Sequence, residues 1–275
     1  GKCLSTGFNN IFMGKNAGDA TNTGKANIFM GLFAGTNNTD GDNNHFLGGL
    51  SGMNNIDGCK NNFMGFYAGI GNTSGNDNNF FGTAAGVCNV TGSCNIAIGY
   101  NAGKLGTTAN ATIAIGKLAA SGGIITGDNN VAIGQSAGFS ITGGSSNVVI
   151  GDRAMVCGTT QEYGVAIGYK AMHGNTTTAP TGNFNVAVGY ETLKDICTGS
   201  LNVAVGYKAG DSVTEGAQNV FLGGYSGCSV TSGGTNVFLG YQAGYNVTGS
   251  QNIIIGKESA PQNNSSDSQL AIGYG

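Results

Sequence analysis

A glycine preceded by three apolar residues recurs along the whole chain, and its spacing restricts the fold more than any other feature. These glycines fall at 14, 31, 48, 65, 82, 99, 116, 134, 151, 168, 189, 206, 223, 240, 256 and 273. Twelve of the fifteen spacings are 17 residues, and the others are 18, 21 and 16. A fixed short period over an entire chain means stacked structural repeats sharing one continuous core. Asn236-Val237-Phe238-Leu239-Gly240-Tyr241-Gln242-Ala243-Gly244 is one clean copy of the unit.

Within each copy the triplet favours Ile or Val, then Ala or Phe, then Ile, Met, Leu or Val. Such β-branched and aromatic residues, bounded by Asn and Gly, spell a short strand, and no segment is long enough for a repeated helix. The turns are rich in Thr, Gly, Ser and Asn, as in Thr142-Gly143-Gly144-Ser145-Ser146, residues that supply positive φ and local bonds to the backbone. The expected fold is all-β: a parallel β-solenoid of about 16 coils with a 17-residue repeat, uncapped at both ends, forming a single domain over 1–275. At about 4.8 Å per coil the rod would be on the order of 75–80 Å long. The 21-residue coil carries the one large insertion, expected as a surface loop at about 173–182.

Stacking puts like residues in columns. Asn precedes the triplet in thirteen copies: Asn10, Asn27, Asn44, Asn61, Asn78, Asn95, Asn130, Asn147, Asn185, Asn202, Asn219, Asn236 and Asn252. Such a column can bond its amides from coil to coil. The middle strand position is also apolar, with Phe12, Phe29, Phe46, Phe63 and Phe80 followed mostly by Ala. A strand apolar on both faces is normally covered on both. Either the coil folds around that column or another chain packs on it.

Composition narrows the function. Gly is 52 of 275 residues without the collagen register, and hydrophobic residues at 40% in regular positions exclude a disordered chain. Charged residues are 9% and the net charge is −3, which makes no electrostatic footprint for nucleic acid. No apolar run approaches the roughly 18 residues that span a bilayer. No partner nucleic acid, no membrane insertion and no cofactor are therefore expected.

The Asn130-Val131-Ala132-Ile133-Gly134 phrase resembles the tandem repeats of bacterial and phage surface proteins, found in tail fibres and adhesin-like proteins. Its core is also similar to the head repeats of trimeric autotransporter adhesins, which are β-rolls. The resemblance covers essentially the whole chain. It implies a structural role outside the cell or on a cell or virion surface, and brings no catalytic residues.

The chemistry-bearing residues point the same way. His45 sits at a strand position and His173 opens the insertion, too far apart for a metal pair. Asp40-Gly41-Asp42 and Asn76-Asp77-Asn78 lack the ligand spacing of a calcium loop and read as turns. No Ser/His/Asp set falls in register, so a non-enzyme is expected. Of seven cysteines, Cys88 and Cys94 flank one turn and are the disulfide candidate. Asn-x-Ser/Thr sequons at Asn37, Asn72, Asn89, Asn110, Asn175, Asn246, Asn263 and Asn264 are glycosylation candidates, with N-linked glycans as partners. A loose Thr column (Thr73, Thr91, Thr142, Thr198, Thr214, Thr231, Thr248) leaves an ice-binding surface as a rival reading.

Gly275 joined to Gly1 would give a spacing of 16 residues between strand glycines, inside the observed range. The expectation is an extracellular filament subunit that polymerises head to tail with copies of itself, with lateral contacts as a further option. The alternative is a tail-fibre or adhesin rod that recognises a receptor or glycan. Its candidate platform is the tyrosine column after the strand glycine: Tyr100, Tyr169, Tyr190, Tyr207, Tyr241 and Tyr274.

Overall fold

A computed structural model describes residues 5–174, 180–261 and 263–274. Among them are sixteen strands of three residues each and no helix. Every strand is the triplet in front of one repeat glycine, apolar throughout except for His45, Asn62 and Asn79. The chain divides into two compact units, Gly1–Ser136 and Ala137–Gly275. The first holds β1 (Ile11–Met13), β2 (Ile28–Met30), β3 (His45–Leu47), β4 (Asn62–Met64), β5 (Asn79–Phe81), β6 (Ile96–Ile98), β7 (Ile113–Ile115) and β8 (Val131–Ile133). The second holds β9 (Val148–Ile150), β10 (Val165–Ile167), β11 (Val186–Val188), β12 (Val203–Val205), β13 (Val220–Leu222), β14 (Val237–Leu239), β15 (Ile253–Ile255) and β16 (Leu270–Ile272).

Inside each unit consecutive strands pair in parallel, residue for residue, and each unit is a β-solenoid. Phe46 faces Phe63 in the first, and Val203 faces Val220 in the second. Departures from the 17-residue period leave this register intact. Across the 18-, 21- and 16-residue coils, Ile113 meets Val131, Val165 meets Val186 and Val237 meets Ile253. Extra or missing residues are therefore absorbed outside the strands. Gly174 donates its N–H to Lys194, and Thr181 and Gly182 donate to Cys197, so both described flanks of the insertion rejoin the stack.

The strand glycine is required by its neighbours. At Gly48, φ is +140°, and a Cβ would lie 2.5 Å from the Gly65 carbonyl oxygen in the next coil. Two other corners of each coil hold left-handed backbone without glycine, as at Phe33 (φ 56°) and Asn43 (φ 57°). An aromatic residue there is strained on its own, and the bonds to adjacent coils hold it in place. Phe33 donates its N–H to Lys15, and Asn43 donates to Lys25.

The middle residue of the strand points into the coil, which settles how that column is covered. Phe29, Phe46 and Phe63 are wholly buried, and successive rings from Phe29 to Phe80 stack with centroids 4.8–4.9 Å apart and planes 7° apart. The coil closes over the rings. The residue six positions later completes the filling. Where the strand carries Phe that residue is Gly, and a Cβ at Gly52 would lie 2.5 Å from the Phe46 ring. Where the strand carries Val149, Ala166 or Ala187, the later residue is Met155, Met172 or Leu193, each fully buried. Interiors are close-packed, and in these coils the large side chain comes from one position or the other, whereas Ala97/Gly103, Ala114/Ala120, Ala132/Gly138 and Ala204/Gly210 are small at both.

Candidate assembly surface

Each coil meets the next through side-chain ladders as well as the strand. Asn44 shows the rule. Its Nδ2 donates to the Gly58 carbonyl at 2.7 Å, fourteen residues on, and so closes its own coil. Its Oδ1 accepts the Asn61 backbone N–H at 3.0 Å and the Asn61 Nδ2 at 3.2 Å, which joins the following coil. Asn202 repeats the arrangement in the second unit, donating to Gly216 at 2.8 Å and accepting from Asn219 at 3.0 Å. Thus the column stacks, as its sequence suggests, and also fastens each coil shut. At Gly164, which replaces Asn, the N–H still donates to Asn147 Oδ1 at 2.8 Å. A Cβ there would lie 3.0 Å and 3.2 Å from the Met155 and Met172 methyl groups, so the methionines take that space.

Two further ladders have no clear sequence signal. Asn38, Asn55, Asn72 and Asn89 are buried, and each successive Nδ2 donates to the preceding Oδ1 at 2.6 Å. On the outer turn, the backbone N–H of Lys25 donates to Asp42 Oδ1 at 2.7 Å, Cys59 to Asn76 Oδ1 at 2.7 Å and Asn76 to Ser93 Oγ at 2.9 Å. Cys59 stands in this acceptor column, with its Sγ 3.3 Å from the Asp42 nitrogen. Asn183 and Ser200 continue the pattern in the second unit, Asn183 accepting from Glu162 at 2.9 Å. A coil therefore offers side-chain acceptors in both directions: the two asparagine ladders accept from the following coil, and the outer turn accepts from the preceding one.

The first and third residues of each strand face outward. In the second unit all of these are Val, Ile or Leu, none of them buried. Tyrosines border this band. Tyr169, Tyr190 and Tyr207 stack with centroids 5.1 Å apart and planes 20° and 6° apart. Glu191, nearly buried, lies between Lys170 Nζ at 4.0 Å and Lys208 Nζ at 3.3 Å. Its hydrogen bond holds the Lys208 ammonium above the usual lysine range. Burial pushes the Asp211 carboxyl up despite Lys194 and Lys208 nearby, and burial likewise raises the Cys157 and Cys228 thiols.

Several sequence expectations need correction. Asn72 and Asn89 are buried with their amides spent in the second asparagine ladder, so neither can carry sugar in this fold. Asn37, Asn110, Asn246 and Asn263 are exposed, Asn264 is half-buried, and Asn175 lies outside the described residues. Cys88 and Cys94 are both free thiols. Cys88 donates its N–H forward to Lys104 and Cys94 donates back to Asn76, so coil-to-coil bonds hold each end of that turn.

The remaining candidates have structural placements. His45 is exposed on β3, and His173 has its Nδ1 2.9 Å from the Gly174 carbonyl. Asp40 Oδ1 accepts from the Thr23 hydroxyl at 2.6 Å, and among the described residues no three His, Cys, Asp or Glu side chains gather as a metal site. The hydroxyls of Thr73 and Thr142 donate to next-coil carbonyls at 3.0 Å, and that of Thr214 does so at 3.3 Å. Their protons are thus spent within the stack. No helix of the described residues is long and apolar enough to cross a membrane.

No family profile, no curated protein and no solved structure matches this chain.

Proposed function

We propose that the chain is a structural subunit of an extracellular filament that grows head to tail by stacking coil on coil. One observation carries this reading. Within each unit every coil pairs its strand with the next in the same residue-for-residue register, and most coils are also joined through asparagine rungs, as in the Asn44–Asn61 and Asn202–Asn219 steps. The trailing edge of one coil is thus complementary to the leading edge of another. A heterologous contact of that sort repeats without closing and generates a fibre. The resemblance of the repeat to bacterial and phage surface fibres supports an extracellular or virion-surface setting. The exposed sequons at Asn37, Asn110, Asn246 and Asn263 would carry the sugar coat.

Electron microscopy of the purified chain tests the reading. Expected are filaments of many subunits with an axial β repeat of about 4.8 Å. Short particles of one length at every concentration would sink it.

The stacked tyrosine row of Tyr169, Tyr190 and Tyr207 favours a second reading, a rod that binds a surface glycan through phenol hydroxyls. The ring faces are spent on one another, which leaves edges and hydroxyls for a ligand. Retention on a glycan array, lost on changing these three tyrosines to Phe, would support that alternative.

A further inference from the structure

We infer that the outward face of β9–β16 is an interface between two copies of this chain, packed sheet on sheet. It adds a lateral contact to the axial stacking proposed above and does not depend on it. All sixteen outward strand positions in this unit are aliphatic, while the middle residue of seven of its eight strands is buried inside the coil. Val205 and Leu222 are each 39% exposed and Ile253 is 44% exposed. The corresponding face of the first unit is interrupted by polar side chains. His45 is exposed there, and Asn62 Nδ2 bonds Asn79 Oδ1 at 2.9 Å along the same row.

The band is large for a single apolar patch. Eight strands at about 4.8 Å make it about 38 Å long, and with the tyrosine border it is about 15 Å wide. That is on the order of 500–600 Å² per copy, at the top of what a monomer normally exposes as one apolar patch. Two such faces would bury about 1,100 Å², near the lower limit for a specific interface, which argues for a reversible pair.

Its pattern selects the occupant. The strand positions carry no charge through which an unlike partner could be chosen. What they carry is a period, because like side chains recur at the coil spacing, as the 5.1 Å tyrosine stack shows. Side chains of two packed sheets must interdigitate. A surface with another repeat falls out of step within a few coils, whereas a second copy keeps step along the full band. The contact is therefore isologous, in contrast to the end-to-end contact of a growing fibre.

The test separates width from length. Wild-type full chain, examined by electron microscopy and by sedimentation over a concentration series, should show particles two solenoids thick in equilibrium with single ones. The Val188→Lys/Val205→Lys variant places charge on the outward face and leaves the coil interior alone. It should weaken pairing at least tenfold with unchanged circular dichroism and unchanged particle length. If that variant misfolds, Val188→Thr/Val205→Thr keeps the β-branched shape and should weaken pairing in the same direction. Met30→Lys, on the outward face of the first unit, should leave the pairs intact. The inference is overturned by single-thickness wild-type particles at every concentration, by pairs that survive both double variants, or by equal loss with Met30→Lys. Failure of axial stacking would show as short particles, whatever their thickness.

Discussion

The coils of β2–β5 and those of β9–β11 fill one cross-section in opposite ways. In the first group a phenylalanine from the strand occupies the interior, and the corner six residues later is glycine, as in Phe46 and Gly52. In the second group the strand contributes Val149, Ala166 or Ala187, and the corner contributes Met155, Met172 or Leu193. The corner has left-handed backbone in both, with φ 56° at Gly52 and 46° at Leu193. Glycine there is consequently more than a conformational requirement. It is the space that the ring needs, because a side chain tolerates the backbone when the strand residue is small.

That comparison can be broken by swapping partners. Phe46→Ala empties the middle of a stacked column and should cost about 3–5 kcal/mol, as for large-to-small core changes. Gly52→Met alone drives a side chain into the Phe46 ring and should be at least as damaging. The double variant rebuilds the arrangement of the second group and should be more stable than either single one, with a coupling of up to about 3 kcal/mol. Urea midpoints of the four proteins measure it. Strict additivity would show that the two positions do not share one volume.

Most of the architecture was legible because the repeat averages out local ambiguity. Each strand coincides with a triplet that is apolar except at His45, Asn62 and Asn79, and each triplet before the last ends at a glycine that the next backbone demands. The Phe12–Phe80 column could be read as buried, but not by what, since a two-sided apolar strand is covered equally well by its own coil or by another chain. The left-handed corners at Phe33 and Tyr67 carry no local signal, because the coil imposes that backbone. The candidate site was less legible still. Asn72-Thr73-Ser74 and Asn89-Val90-Thr91 are well-formed sequons, and only burial shows that their amides belong to a ladder. Nothing local in the sequence marks Cys59, and its use as a hydrogen-bond acceptor follows from a column otherwise made of Asp, Asn and Ser.

The principal asparagine ladder offers a second contrast, between an intact rung and a natural gap. Asn44→Ala removes one of the two amides that bond the Gly58 carbonyl, which keeps Asn55 Nδ2 at 2.8 Å, and removes the acceptor for Asn61, leaving the buried Asn61 N–H unpaired. An unsatisfied buried group costs about 1–3 kcal/mol, so a loss of that size is expected. Thermal unfolding should register it. A shift no larger than that of an exposed Asn→Ala change, such as Asn37→Ala, would mean that the rung is decorative.

The gap lies at Thr112, where the ladder reaches β7 without an asparagine. The Thr112 N–H still donates to Asn95 Oδ1 at 2.9 Å, but its hydroxyl is buried without a partner. Thr112 also lines a cavity of about 20 Å³, together with Phe80, Ala97, Ala114 and Ile125, where the phenylalanine column gives way to alanine. Two defects meet at this boundary: the β6 coil sets the small Ala97 opposite Gly103, and the coil after it lacks the amide. Thr112→Asn supplies a longer side chain for the space and a donor and acceptor for the ladder. It should stabilise the chain by about 1 kcal/mol, the net value of one intramolecular hydrogen bond. The gain should disappear when Asn95→Ala removes the neighbouring rung, since the new amide would then have lost the contact that orients it. A Thr112→Asn protein that melts below wild type would show that the cavity cannot admit an amide, and that the gap is filled as tightly as the coil allows.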